Sequence, residues 1–225
     1  LSSWLDHIGQ VHPLGWDLGL DRVNRVAAAL KVKHPANSVI LVAGTNGKGS
    51  CCEALNTLSM EAGLKTGLTT SPHIHQFSER IRIDGCPVED RTIAAAFETI
   101  EQARGETTLT YFEFASLAAM VIFESEALDV AILEIGLGGR LDAMNVVDPD
   151  ISVVLPIALD HQEYLGDSRE QIGVEKAGIL RPRQPAVIAD PDPPLSLIEA
   201  ANSASVVARY GREFGWEDDR LWWSN

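Results

Sequence analysis

Cysteine is scarce in this sequence: three in 225 residues, with Cys51 and Cys52 adjacent and Cys86 far from both. That count and spacing exclude a disulfide framework and a Cys/His zinc site, and they point to reduced thiols in a cytoplasmic protein. Positive charge is also in deficit. Eighteen Lys and Arg against 32 Asp and Glu leave a formal charge of −14, which argues against nucleic acid as a partner. No apolar run is long enough to cross a bilayer and no secretory h-region is visible, so no membrane partner is expected. The G-x-S-x-G pattern of hydrolases is missing, as are internal repeats and low-complexity tracts.

What is present is an ordinary globular balance, 45% hydrophobic and 22% charged, in a chain long enough for one sizeable α/β domain. The chain opens on Leu1 and closes on a stretch with three Trp and no evident cap, so a piece of a longer protein is expected. Apolar runs at 39–42, 64–68, 130–135, 151–155 and 186–189 read as strands. Helices are expected at 51–61, with Ala54, Leu55 and Leu58 on its buried face, and at 92–103, 112–125 and 169–179. Residues 80–88 read as a hairpin turning at Asp84-Gly85. Strands separated by helices, with near-continuous apolar cores, predict a mostly parallel sheet covered by helices on both faces, plus the small antiparallel hairpin. Pro191 and Pro194 bound a break after which a second domain could begin.

The strongest local signal is Gly44-Thr45-Asn46-Gly47-Lys48-Gly49-Ser50, between a predicted strand and a predicted helix. Three glycines let the backbone turn tightly and aim successive N–H groups inward. The helix start adds a partial positive charge and Lys48 a full one, which suits the phosphates of ATP. The strict P-loop spacing is not met, and Gly49 stands where a Ser or Thr would ligate Mg²⁺, so another group must help hold the metal.

Other strand ends carry chemistry. Thr70-Ser71-Pro72-His73 follows one strand, Glu134 ends another, and Asp160-His161 lies past a third. A carboxylate at the edge of a buried strand needs a partner such as a metal. Read alone, each also fits a polar turn, a surface Glu or a structural His. Gly136-Leu137-Gly138-Gly139-Arg140 is not a dinucleotide fingerprint, because Leu141 occupies the third glycine position.

Taken in order, six segments resemble folylpolyglutamate synthases: the 44–50 loop, Thr70-Ser71-Pro72-His73, Tyr111-Phe112-Glu113, the stretch from Glu134 through Gly139 to Ala143, Leu159-Asp160-His161, and Glu175-Lys176-Ala177-Gly178-Ile179. Trp16-Asp17-Leu18-Gly19-Leu20 is similar to the bifunctional form that also acts as dihydrofolate synthase. The resemblance implies a P-loop NTPase-like fold of the Mur ligase central-domain type. It implies that Thr45, Asn46, Gly47, Lys48, Gly49 and Ser50 bind ATP, and that Ser71, Glu134 and His161 ligate Mg²⁺. It also implies carbamylation of Lys176, which would let that residue bridge a second Mg²⁺. The pteroate is placed against Trp16, Asp17, Leu18, Gly19, Thr110, Tyr111, Phe112, Glu113, Leu141, Asp142 and Ala143.

The expected reaction joins L-glutamate to the carboxylate of dihydropteroate or a folate through an acyl phosphate, with Lys48 and Lys176 as catalytic residues. His73 is the candidate base for the glutamate ammonium. Residues 1–225 would form the N-terminal ATP-binding domain of a monomer, with the family's C-terminal glutamate-binding domain absent. Rival readings are a Mur-type cell-wall peptide ligase and a nucleotide-binding module that ligates nothing.

Overall fold

The computed structural model describes residues 1–14 and 17–224. Trp16, expected at the substrate site, therefore lies outside the described residues. Two helices open the chain, α1 (Ser2–Ile8) and α2 (Asp21–Leu30). Neither carries a strong sequence signal beyond the buried triad Val23, Val26 and Ala27, which recurs at helical spacing on α2.

Then follow β1 (Ser38–Ala43), α3 (Lys48–Glu61), β2 (Thr66–Thr69), a 3-10 turn (Phe77–Arg80), β3 (Ile81–Ile83), β4 (Cys86–Pro87), α4 (Asp90–Arg104), α5 (Tyr111–Ser125) and β5 (Val130–Glu134). A second 3-10 turn (Ala143–Val146) leads to β6 (Ile151–Val154), α6 (Gln162–Leu165), α7 (Arg169–Ala177), β7 (Ala186–Ile188), α8 (Leu195–Ala201), β8 (Val207–Arg209), β9 (Phe214–Glu217) and β10 (Arg220–Trp223).

Eight strands form one sheet in the order β4-β3-β2-β5-β1-β6-β7-β8, parallel except for the antiparallel edge β3 and β4. That edge is the expected hairpin, turning through Asp84 and Gly85, both at positive φ. β1 lies between β5 and β6, which explains its unbroken apolar run: both faces and both edges are covered. Alternate residues of β1 point to two cores. Val39, Leu41 and Ala43 join a large one with buried residues of α1, α2, α4, α5, α7 and α8, while Val42 joins a small one under α3. α5 is buried nearly all round, and its start is fixed by a capping box between Thr110 and Glu113.

Two expectations are corrected. α3 begins at Lys48, and its buried face holds Cys52 and Asn56, whereas Ala54 is exposed and Leu58 is 68% exposed. Its first turn has to seat Gly49 against Glu134, and that phase carries Leu58 to solvent. Nor does a second domain begin at Pro194: α8 packs on α7, and β8 adds a parallel strand beside β7. The separate β9–β10 hairpin at the end went unanticipated. No helix among the described residues is long and apolar enough to cross a membrane.

Candidate active site at the C-terminal edge of the sheet

Four neighbouring strands, β2-β5-β1-β6, deliver the candidate residues to one edge. Ser71 follows β2, Glu134 ends β5, the glycine loop follows β1, and His161 lies beyond β6. Open α/β sheets place ligands at this edge.

The glycine loop is stitched to the segment after β6. Thr45 N donates to Pro156 O at 3.0 Å, and the Thr45 hydroxyl both accepts from Ala158 N at 3.0 Å and donates to Ala158 O at 3.2 Å. Gly44 has to be glycine here, because a Cβ would lie 2.6 Å from Leu155 Cβ. Gly47, at φ 81°, turns the chain into α3. The N–H of Cys51 makes a helical bond back to Gly47 O at 2.9 Å. The first-turn N–H groups of 48–50 precede that ladder and so have no helical partner, as a phosphate cradle requires. Of the six residues expected to bind ATP, Thr45 is buried and structural through its N–H and hydroxyl. Asn46 to Ser50 are exposed or half-buried.

Lys48 Nζ donates to Gly44 O and Thr45 O, both at 3.1 Å. Lys176 on α7 is buried, and its Nζ donates to the same Gly44 O at 2.9 Å. Burial, followed by the neighbouring Lys48 charge, pulls the Lys176 ammonium down to about 8. As an ammonium it is a donor and offers no lone pair to a metal.

Glu134 is 5% exposed and accepts from Ser71 N at 2.9 Å. Burial pushes its carboxyl upward, against the pull of that N–H and of Lys48 and Arg80. Gly49 lies close by, since a Cβ there would sit 3.7 Å from Glu134 Oε2. His161, at φ 45°, begins α6 with its ring half exposed and Nε2 3.7 Å from Asp160 Oδ2. Among the described residues no three His, Cys, Asp or Glu side chains gather as a metal cage. Mg²⁺ commonly takes one or two protein carboxylates and completes its shell with water and substrate phosphate. The Ser71 hydroxyl and the Glu134 carboxylate fit such a cation; the His161 nitrogen fits it less well.

Three openings adjoin one another. A groove of about 820 Å³ runs along α3 from Gly49 and Ser50 to Ser71, Pro72 and Glu134. A cleft of about 440 Å³ shares Ser71 and Pro72 with it and is walled by Arg80, Tyr111, Phe112, Gly136 and His161. A narrow crevice of about 20 Å³ shares Phe112 with the cleft. Asp17, Leu18, Gly19, Thr110, Glu113, Leu141, Asp142 and Ala143 line that crevice, so the structure brings together the residues expected to hold the pteroate. Tyr111 belongs to the cleft instead.

Asp142 is fully buried and accepts from Leu137 N and Met144 N, both at 2.9 Å. Burial raises its carboxyl to about 6 despite these bonds. Gly136 lets Phe112 approach: a Cβ there would lie 2.5 Å from Phe112 Cζ.

Two arginines escaped sequence reasoning. Arg22 donates to Asp17 Oδ2 at 2.5 Å, Asp17 O at 2.7 Å and Glu113 Oε1 at 3.2 Å, clasping the 17–19 loop to the start of α5. Arg80 lines the central cleft, and its Nε donates to His73 Nδ1 at 2.7 Å. That bond displaces His73 from the role of base. With Nδ1 accepting, a neutral ring carries its proton on Nε2 and has no lone pair left to take another. Arg22 follows a helix-start pattern that reads as surface charge, and Arg80 precedes an ordinary hairpin; neither offers a local motif.

Known proteins supply the comparison. The family description "Mur ligase middle domain" matches residues 42–222. The dihydrofolate synthase/folylpolyglutamate synthase of Escherichia coli (strain K12) is 46% identical over 217 residues, 96% of this chain and 51% of that protein. The chain thus spans about half the length of the curated relatives it matches. A solved structure of E. coli FolC in complex with DHPP and ADP aligns with a TM-score of 0.94 at 46% identity, covering 96% of this chain and 52% of that one. A bifunctional folylpolyglutamate synthase/dihydrofolate synthase with Mn, AMPPNP and L-glutamate bound aligns with a TM-score of 0.92 at 42% identity, covering 99% and 54%. With its glycine loop, buried strand-end carboxylate and adjoining clefts in that shared frame, the chain belongs to the Mur ligase family, in its folylpolyglutamate synthase/dihydrofolate synthase branch.

Proposed function

We propose that this chain is the ATP-binding half of a cytoplasmic, monomeric ligase that joins L-glutamate to the carboxylate of dihydropteroate or a folate. The observation that carries this reading is the run of three openings sharing walls at Ser71 and Phe112. They connect the phosphate loop, through one cleft, to the crevice of Asp17, Thr110 and Asp142. A long, flat acid fits the 440 Å³ cleft with its ring system at the Phe112 end, against the residues of the crevice, and its carboxylate toward the loop. Relatives support the ligands: one was captured with DHPP and ADP, another with Mn, AMPPNP and L-glutamate.

In the reaction, a carboxylate oxygen attacks the γ-phosphorus of ATP and the bond to ADP breaks, giving an acyl phosphate. The glutamate amine, having lost a proton, then attacks the acyl carbon; the C–O bond to phosphate breaks and the amide forms. Lys48 and the N–H groups of 48–50 hold phosphoryl oxygens as charge shifts onto ADP. Ser71, Glu134 and His161 would hold Mg²⁺, which when bound neutralises charge on the phosphates. Lys176, buried with a lowered pKa beside Gly44, is suited to carbamylation because only a neutral amine adds CO₂. As a carbamate it would become an oxygen ligand for a second Mg²⁺.

The test is ADP formation by the full-length protein. ADP release that requires both dihydropteroate and L-glutamate supports the ligase. Release driven instead by a UDP-linked muramyl peptide favours the cell-wall branch, and release needing neither acid nor amine favours a module that only hydrolyses ATP.

A further inference from the structure

Arg80 holds more donors than the protein uses. It leaves the 3-10 turn at Phe77–Arg80, with its backbone carbonyl accepting from Thr70 N at 3.2 Å. The guanidinium packs against two touching rings, its Cζ 5.7 Å from the Phe77 centroid and 5.8 Å from that of Tyr111, with the two centroids 6.0 Å apart. Nε is committed to His73 Nδ1. Among the described residues no hydrogen bond or ion pair engages Nη1 or Nη2, and the residue lines the 440 Å³ cleft. A planar fork held at Nε by His73 and backed by two rings, with two nitrogens unspent, is preorganised for a carboxylate or a similar planar anion.

Position selects the anion. The phosphate loop opens onto the groove on the far side of Ser71 and Pro72, whereas Arg80 shares its cleft with Tyr111, Phe112 and Gly136. Phe112, which also walls the crevice, marks the end of the cleft assigned above to the ring system. Arg80 thus shares one cleft with Phe112 at the ring site and with Ser71 and Pro72 at the border of the phosphate groove, where the acid's carboxylate would have to lie. Glu134 is nearby, so an incoming carboxylate meets negative charge that needs offsetting.

We propose that Arg80 is a catalytic residue whose Nη groups grip the substrate carboxylate, and that His73 positions it by accepting from Nε. One carboxylate oxygen stays on the fork while the other attacks phosphorus. The held oxygen becomes the carbonyl of the acyl phosphate, and the same fork steadies the negative charge that oxygen gains when the amine adds. This inference rests on the ligase reading.

The test uses the full-length protein and calorimetric titration with dihydropteroate and with its neutral carboxamide. Arg80→Ala is expected to weaken dihydropteroate binding about 10- to 100-fold, as loss of a charge-assisted pair does. Carboxamide and Mg-ATP affinities should stay at their wild-type values, the latter also reporting an intact fold. His73→Asn, which keeps an acceptor, should retain binding that His73→Phe loses. Equal dihydropteroate affinity in wild type and Arg80→Ala, or equal losses for acid and carboxamide, overturns the role of Arg80. Absence of dihydropteroate binding in the wild type instead overturns the ligase reading on which it rests.

Discussion

The ammonium groups of Lys48 and Lys176 converge on one carbonyl oxygen, that of Gly44, at 3.1 and 2.9 Å. Each charge therefore feels the other. Replacing Lys48 with Ala removes the repulsion that helps hold Lys176 down, so the Lys176 amine should titrate above its present value of about 8. Amine-selective labelling across a pH series, read by mass spectrometry at Lys176, checks this. An unchanged midpoint would show that burial alone sets the shift. The same variant should lose at least about 100-fold in kcat/KM for ligation, the scale of losing one preorganised charge stabiliser.

Stability should carry the signature of Lys176. Its folded pKa of about 8 lies below the ordinary value of 10.5, so between the two the unfolded chain holds a proton that the folded chain does not. Folding stability then rises with pH through that window, because the unfolded state binds more protons. Below the window both states are protonated and this group contributes no slope. Lys176→Met should lack the rise. The wild-type urea midpoint, measured against that of Lys176→Met in CO₂-free buffer, should climb across the window.

Gly136→Ala tests the wall between cleft and crevice. The new Cβ would lie 2.5 Å from Phe112 Cζ and 3.0 Å from Cε1, so the ring must move. Overpacking of this kind costs about 1–3 kcal/mol, visible in a denaturation midpoint. The displaced ring should raise KM for dihydropteroate more than it changes the KM for ATP, since Phe112 does not line the phosphate groove. Equal changes in both would contradict the assignment of the two openings.

Arg22 and Glu113 should be thermodynamically coupled. Glu113 is buried, and Arg22 joins it to the 17–19 loop. Arg22→Met should destabilise by about 1–3 kcal/mol, less than a fully buried pair because the arginine keeps partial solvent access. A double-mutant cycle with Glu113→Gln should give a coupling of about 0.5 kcal/mol or more. Strict additivity would mean that the clasp does no work.

The strand–loop–helix turn at 44–50 was legible because its requirements are local: a strand, three glycines, a lysine and a helix within a dozen residues. Glu134 was legible for a similar reason, as a carboxylate ending an apolar strand, whereas Asp142 was reached only through the family resemblance. The face of α3 was misread because hydrophobicity placed Leu58 inward, while the contact of Gly49 with Glu134 fixed the rotation of the helix. Arg22 and Arg80 stayed hidden because their meaning lies in partners brought close only by the fold: Glu113 is 91 positions from Arg22, and Tyr111 reaches Arg80 from another element. The strand Val207–Arg209 was missed because three half-buried residues after a Pro-rich stretch carry little periodicity.

The strand order sets a length scale. Ser71, Glu134, the glycine loop and His161 issue from four consecutive neighbours, β2, β5, β1 and β6. Adjacent strands lie roughly 4.8 Å apart, so the row spans about 14 Å in three steps. The sheet is thus a ruler with fixed divisions, and a side chain can be moved along it only by whole strands. Loops away from this edge may lengthen or change sequence without shifting the marks. Divergence within such a frame is free to reshape the openings, while the spacing between the ends of β1 and β5 stays locked by backbone hydrogen bonds.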